Sequence, residues 1–367
     1  MKLNKAFKYR LYPNKSQVSL INKTFGCCRF VYNKMLGDKI DYYNEHKEKL
    51  NNTPAWYKCE FEWLKEVDAY ALCNEQMNLQ RAYNNFFKRP EAGFPKFKSK
   101  KRTKKTYTTN NVNNVIRVNN EHKIHLPKLG WVKFVEHRKI PNKYKIKSVT
   151  ISLSPSGKYY ISILTEYEYE FSEKVLDKNK SLGLDYSSHD FYVDSQNRSP
   201  EHLHHYYRDL QNKLAFNQRK LSHMTKGSNN YQKQKIVIAR IHEKISNQRK
   251  DFIEKESTKL SNLYDIICLE DINMRNMSQS LKLGKSTLDN AFGKFRVRLE
   301  QKMFLQGKQV VKIDKWFPSS KMCRFCGHVN KDLKLSDRAW TCECGAILNR
   351  DENAAINILN EGLKRLA

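Results

Sequence analysis

Four cysteines near the end of the printed sequence have the spacing of a metal site. They form two tight pairs, Cys323-x-x-Cys326 and Cys342-x-Cys344, and a glycine follows each pair. Four thiolates can bind Zn²⁺ tetrahedrally at Zn–S distances of about 2.3 Å, and glycine permits the tight turn around the sulfur atoms. Because four cysteines leave no open coordination position, the sequence predicts one structural zinc ion and not a catalytic one.

Three carboxylates lie where strands or a helix would hold them. Asp185 lies among small and aliphatic residues, Glu270 ends a short apolar run, and Asp351 opens a helix-like run. A buried carboxylate is costly unless it is paired or bound to a metal. Taken singly, each acid is more often a cap or strand-end residue. The ordered set of three favours a site for two Mg²⁺ ions, about 3.5–4 Å apart, that could hydrolyse a phosphodiester.

The charge of the chain predicts a polyanionic partner. The 367 residues include 68 Lys+Arg and 38 Asp+Glu, a formal net charge of +30. This excess opposes compaction unless a polyanion neutralises it, so nucleic acid is the expected partner. No apolar run approaches the roughly 20 residues of a membrane span, and the first residues lack an apolar signal region. We therefore expect a cytoplasmic protein without a membrane partner.

The first half of the chain alternates between strand and helix patterns. Helical spacing covers residues 16–50 and about 62–88. Period-two or short apolar runs predict strands at 3–12, 115–118, 123–126, 131–135, 149–153 and 159–163. We expect an antiparallel β-barrel made of residues 1–15 and 106–178, with a helical segment, 16–105, inserted in it.

The second half predicts a mixed domain. Two long basic helices are expected at about 201–224 and 230–262, with a turn between them. Short buried strands are expected at 181–186, 191–193, 266–270 and 310–313. The fold class is therefore multidomain α/β.

A polar row and a basic connector are candidates for nucleic-acid contacts. The second helix carries Gln76, Gln80, Asn84 and Lys88 at four-residue steps, an arrangement that is usually a solvated face. Residues 88–105 then contain nine Lys/Arg and a single acid, interleaved with aromatic residues.

Four motifs of the second half resemble those of the TnpB proteins of bacterial insertion sequences. They are Leu182–Ser187, Leu269–Ile272, Pro318–Cys323 and Asn349–Ala355. Further segments with the same resemblance are Lys5–Pro13, Phe94–Lys100 and Ser246–Phe252. The resemblance therefore extends over nearly the whole chain.

This resemblance implies an RNA-guided DNA endonuclease related to the compact type V CRISPR nucleases. It implies a RuvC-like (RNase H-fold) nuclease domain at 179–315 and 346–367, with a zinc finger inserted at 316–345. The barrel would be the wedge domain and the inserted helices the recognition domain. Asp185, Glu270 and Asp351 would be the Mg²⁺-binding catalytic residues, and the four cysteines would hold the zinc ion.

The resemblance also implies partners. These are a guide RNA from the transposon end and a double-stranded target DNA, bound by a nucleoid-associated monomer. A short motif beside the target would be read by protein. Since Gln and Asn can bond adenine in a major groove, the polar row gains a second interpretation. The candidate contacts are Gln76, Gln80, Asn84, Lys88, Lys96, Lys98 and, more weakly, Tyr107.

Two other functions are alternatives to the nuclease. A non-cleaving RNA- and DNA-binding regulator of transposition or transcription is the alternative, although the three acids match the family motif. A transposase acting directly is disfavoured, because the common transposases of this fold have the order Asp–Asp–Glu and this chain has Asp–Glu–Asp.

Overall fold

A computed structural model describes residues 1–171, 174–201, 203, 205–280, 284, 289–334 and 336–366. The chain divides into two compact units, Met1–Glu170 and Phe171–Ala367. None of the helices in the described residues combines the length and the apolar character that crossing a membrane requires.

The first unit contains one seven-stranded antiparallel sheet with the order β2-β6-β7-β1-β5-β4-β3. Its strands are β1 (Lys2–Tyr12), β2 (Lys105–Asn110), β3 (Arg117–Val118), β4 (Lys123–Leu126), β5 (Gly130–Val135), β6 (Lys145–Leu153) and β7 (Tyr159–Glu168). The predicted hairpin is β6–β7, and β1 pairs with β7 from Lys2 to Leu11. The described residues show no ladder between β2 and β3, so closure into a barrel stays a prediction.

Three helices follow β1 in the chain. They are α1 (Lys15–His46), α2 (Pro54–Glu60) and α3 (Ala69–Lys88), with a 3₁₀ helix at Glu62–Glu66. The helical segment predicted at about 62–88 consists of this 3₁₀ helix and α3, which are separate because Asp68 starts α3 by accepting a hydrogen bond from Tyr70 N at 3.1 Å. Residues of these helices and of the sheet share one apolar core. The predicted separation of recognition and wedge domains therefore stays a prediction.

The second unit contains a mixed four-stranded sheet with the order β11-β10-β8-β9. Its strands are β8 (Ser181–Ser187), β9 (Phe191–Asp194), β10 (Ile266–Glu270) and β11 (Gln309–Ile313). β10 is parallel to β8 and β11, whereas β9 is antiparallel to β8. The predicted mixed α/β class is confirmed. The unit begins eight residues before the predicted boundary, because Lys174 Nζ binds Asp265 Oδ1 at 2.6 Å and Leu176 packs on the sheet.

Helices cover this sheet, and a small hairpin precedes the last of them. The helices are α4 (Tyr206–Ser222), α5 (Asn229–Leu263), α6 (Met274–Ser280), α7 (Phe292–Leu305) and α8 (Arg350–Lys364). The hairpin consists of β12 (Ala339–Thr341) and β13 (Ile347–Asn349). The two basic helices are confirmed as α4 and α5, although α4 begins five residues later than predicted.

The alternation of side chains divides the strands of this sheet between two faces. Leu184 and Leu269 belong to a core shared with residues of α5 and α7. Ile266 and Cys268 belong to a second core with Ile358 of α8. One face of the sheet is therefore covered by the last described helix.

Gly183 permits α8 to lie close to β8. A Cβ atom at this position would lie 2.0 Å from the Ala355 carbonyl oxygen and 2.9 Å from Leu359 Cβ. We expect Gly183→Ala to lower the free energy of unfolding by at least about 3 kcal/mol, because backbone would have to move. Urea unfolding should be compared with Gly293→Ala, whose new atom would meet its nearest neighbour at 3.5 Å. Equal midpoints for the two variants would contradict the close packing.

Candidate metal centres

Two of the predicted acids are lateral neighbours in the mixed sheet. Leu184 of β8 is in register with Leu269 of β10, and an acid directly follows each leucine. Asp185 and Glu270 therefore point to the same face, which is the face covered by α8.

Asp351, the third acid, is the second residue of α8. The Asn349 side chain caps this helix by accepting hydrogen bonds from the backbone N–H groups of Asp351 and Glu352, both at 3.1 Å. The close contact of α8 with Gly183 places the start of the helix over the end of β8. Strand, strand and helix thus bring together the three acids that the sequence predicted.

Two of the three acids, Asp185 and Glu270, have raised pKa values. Asp185 is half-buried, and its pKa is raised well above the usual range by burial and then by the nearby carboxylates of Glu270 and Asp351. Burial also raises the pKa of Glu270, against a hydrogen bond from Ser319 that lowers it. A bound divalent cation would favour the ionised forms of both groups. The donor set, three carboxylates, is the kind that Mg²⁺ takes.

Arginines hold the third carboxylate. Arg350 Nη2 lies 2.9 Å from Asp351 Oδ1, and Arg338 Nη1 lies 3.0 Å from Asp351 Oδ2. In the described part of the chain, the four cysteines are the one group whose ligand atoms all lie within 4.8 Å of one another. The ligand atoms of the three acids therefore do not all lie within that distance of one another, and Asp351 is already bonded to two arginines.

The four cysteines do converge on one point. The sulfur atoms of Cys323 and Cys344 are 3.8 Å apart, and those of Cys326 and Cys342 are 3.5 Å apart. Tetrahedral coordination at about 2.3 Å places ligand sulfurs about 3.8 Å from one another. The glycine after each pair has a positive φ, 75° and 87°, as the tight turns require. The cluster can therefore hold one tetrahedral metal ion, as predicted.

Polar residues that were not predicted from the sequence join the cysteine cluster to α8. Arg324 Nη1 binds Glu352 Oε1 at 2.8 Å, and Arg324 N donates to Asn353 Oδ1 at 3.0 Å. Asn353 and Asn357 are both buried although α8 is otherwise apolar on that side. Two asparagines at four-residue spacing in an apolar helix face were the signal that could have revealed them.

The predicted polar row lies on α3. Gln80, Asn84 and Lys88 are exposed, and Gln80 Nε2 donates to Asn84 Oδ1 at 3.0 Å. Gln76 is half-buried and lies 3.4 Å from the Asn52 carbonyl oxygen. Lys96 of the connector is exposed. All of these side chains except that of Gln76 are exposed to solvent.

Tyr107 is buried, contrary to its predicted role as a nucleic-acid contact. It is 4% exposed, and its ring packs edge-on against Phe25 with centroids 5.8 Å apart. Burial raises the pKa of the Tyr107 hydroxyl well above its usual value. The prediction that Tyr107 stacks on a base or binds a phosphate was therefore wrong, because β2 turns this side chain into the core.

Lys98 has a structural role that the sequence analysis did not predict. Its ammonium group pairs with buried Glu75 and lies 3.9 Å from the ring centroid of Tyr32. The Asn33 side chain accepts a hydrogen bond from the Lys98 N–H at 2.7 Å and donates one to the Lys98 carbonyl oxygen at 2.9 Å. This residue fixes the connector to α1 and α3, and its charge is already paired within the protein.

Comparison with known proteins agrees with this architecture. Residues 1–48, which form β1 and α1, match a model described as "Helix-turn-helix domain" of the OrfB IS605 group, and residues 162–281 match "Probable transposase" of the same group. Residues 292–358 match "Cas12f1-like, TNB domain". A solved complex titled as Cas12f1 with sgRNA and target DNA has the same overall fold, with a TM-score of 0.59, 12% identity and coverage of 98% of this chain and 99% of that one.

Two relatives match along nearly their whole length. A Streptomyces pristinaespiralis protein named "Putative RNA-guided DNA endonuclease" is 33% identical over 98% of this chain and 90% of its own. InsQ of Escherichia coli K12, which has the same description, is 33% identical over 100% of this chain and 94% of its own. The chain belongs to this TnpB family of insertion-sequence proteins.

Proposed function

We propose that this protein is an RNA-guided DNA endonuclease of a bacterial insertion sequence. The observation that carries the proposal is the meeting of Asp185, Glu270 and Asp351 near the carboxyl ends of β8 and β10, on three separate elements. The names of the full-length relatives and the fold shared with a guide-RNA and DNA complex support the same activity.

The acids would hold two Mg²⁺ ions, and such ions would supply activation of a water molecule and positive charge beside the leaving oxygen of the phosphodiester. Asp185 and Glu270 come from β8 and β10, the two central strands of the sheet, and Asp351 comes from the first turn of α8. The surrounding domain would be RuvC-like. The four cysteines would bind one structural Zn²⁺ in a finger at residues 316–345, because their set leaves no position for substrate.

Nucleic acid would bind through charge and through α3. The net charge of +30 suits a guide RNA from the transposon end together with a double-stranded DNA target. Gln76, Gln80 and Asn84 would read a short motif beside the target, and Lys88 and Lys96 would bind phosphate. The predicted cytoplasmic location and monomeric state belong to the same proposal.

The test starts from the RNA that copurifies with the full-length protein from cells that contain its locus. Sequencing this RNA should reveal a transposon-end scaffold with a variable 3′ segment. With that segment reprogrammed, the complex should cut a matching plasmid beside one short motif in a library of flanking sequences, in Mg²⁺ and not in EDTA. A guide without a match is the control. Tight guided binding without cleavage would contradict the nuclease and support the regulator.

A further inference from the structure

The segment between β11 and the first cysteine pair reaches the acid site through Ser319. This serine is 6% exposed, and its hydroxyl donates a hydrogen bond to Glu270 Oε1. Residues 314–321 form turns, in which the carbonyl oxygens of Asp314, Phe317 and Pro318 accept local backbone hydrogen bonds, whereas that of Ser319 accepts from another element. The position of the hydroxyl thus depends on what holds this segment.

Two buried asparagine side chains of α8 bind this segment. Asn357 Nδ2 donates to the carbonyl oxygens of Ser319 at 2.8 Å and Met322 at 2.6 Å, and Asn353 Nδ2 donates to Met322 O at 2.7 Å. Asn353 is 0% exposed and Asn357 is 2% exposed. Buried amides cost free energy unless they are bonded, and here both are bonded to the same short segment.

The same segment carries a cysteine of the metal cluster. Cys323 lies between Met322, which accepts from Asn353, and Arg324, whose N–H donates to Asn353 Oδ1 at 3.0 Å. The turn that presents the Cys323 thiol is therefore fixed to the helix that carries Asp351. A continuous set of hydrogen bonds runs from the cysteine cluster through α8 and Ser319 to Glu270.

We propose that Ser319 is a positioning residue for Glu270. Asn353 and Asn357 make the position of Ser319 depend on the cysteine-bearing turn. The inference rests on the proposed function. By fixing Oε1, the hydroxyl orients the remaining carboxylate oxygen toward a cation. Hydrogen-bond partners of this kind change metal affinity about 10- to 100-fold when removed.

Ser319 is tested with zinc-loaded full-length protein and Mn²⁺ as the probe, measured by loss of the free-ion EPR signal. Ser319→Ala should weaken Mn²⁺ binding about tenfold. Ser319→Cys, which keeps the volume but has a weak donor, should also weaken it. Ser320→Ala, a neighbour that is half-buried, should bind like the wild type. Wild-type affinity in both Ser319 variants would overturn the proposal.

Asn357 tests the connection to the cysteine-bearing turn. The Asn357 amide donates to the carbonyl oxygens of Ser319 and Met322 and not to one of the three acids. Even so, Asn357→Ala should weaken Mn²⁺ binding about three- to tenfold, while the zinc content stays at one ion per chain. Asn360→Ala, on the exposed side of α8, is the matched control. If Asn357→Ala lowers thermal stability without changing Mn²⁺ affinity, the asparagines are structural only and the connection is refuted.

The outcome separates this inference from the proposed function. If Mn²⁺ binding in the wild type is absent, or is unchanged by Asp185→Asn, the acids are not a cation site and both ideas fail. If Asp185→Asn removes binding but the Ser319 and Asn357 variants retain it, the nuclease site stands and only the positioning role is lost.

Discussion

Replacing Asp185 with asparagine should abolish cleavage of a guide-matched DNA, reducing its rate by at least about a thousandfold. Asparagine keeps the volume of the side chain and removes the charge that a cation needs. Asp185 is the lateral neighbour of Glu270 in the sheet, and the carboxylates of Glu270 and Asp351 both act on its pKa, so its charge belongs to the three-acid site. Single-turnover cleavage with the reconstituted RNA complex measures the effect, and filter binding should show unchanged affinity for guide RNA.

The Asp185→Asn variant should lose cleavage without losing stability. Because burial and the neighbouring carboxylates raise the pKa of Asp185, its ionised form is unfavourable in the cation-free protein. We therefore expect the unfolding midpoint of Asp185→Asn in EDTA to equal or exceed that of the wild type.

A matched pair extends the test to β10. Glu270→Gln should lose cleavage as Asp185→Asn does. Asp271→Asn should retain it, because Asp271 is exposed and its carboxylate lies 3.4 Å from Arg296. Equal loss in both, or retained cleavage in Asp185→Asn, would remove the catalytic assignment.

Replacing Cys323 and Cys326 together with serine should remove the metal of the cysteine cluster. Zinc analysis should find about one ion per wild-type chain and none in the double variant. Structural zinc contributes on the order of 10 kcal/mol to small domains, so residues 316–345 should become sensitive to protease. Cleavage should fall as well, since Arg324 and Arg338 of this segment contact the first turn of α8.

The control removes two thiols elsewhere. Cys59 and Cys73 are both exposed and lie outside the cluster, so Cys59→Ser/Cys73→Ser should keep its zinc and its activity. A double variant at 323 and 326 that still binds a full equivalent of zinc would refute the site.

The parts of the fold that sequence predicts best are those with local causes. The cysteine spacing, the hairpin β6–β7 and the strand at 266–270 follow from residues a few positions apart. The acid set was predictable because Asp185 interrupts an apolar run, Glu270 ends one and Asp351 opens a helix-like run, and all three lie in the family motifs.

The parts that sequence did not predict have distant causes. Tyr107 is buried by Phe25 and Lys98 is paired with Glu75, and neither partner can be inferred from spacing along the chain. β2 was not predicted, because its sequence, Lys-Thr-Tyr-Thr-Thr-Asn, has little apolar alternation. Ser319 reads as an ordinary turn residue until its carboxylate partner, 49 positions away, is seen.

The place of Asp351 on the last described helix has a consequence for biosynthesis. The first unit is contiguous in sequence, so it can fold on the ribosome while the rest of the chain is still being made. At about 5–20 residues per second, roughly 10–40 s separate the completion of that unit from the appearance of Asp351. During this interval, the nascent chain can have a folded amino-terminal unit but contains at most two of its three acids. We expect nonsense variants that stop before residue 350 to be unable to cut, which makes the final helix the step at which a newly made chain becomes a nuclease.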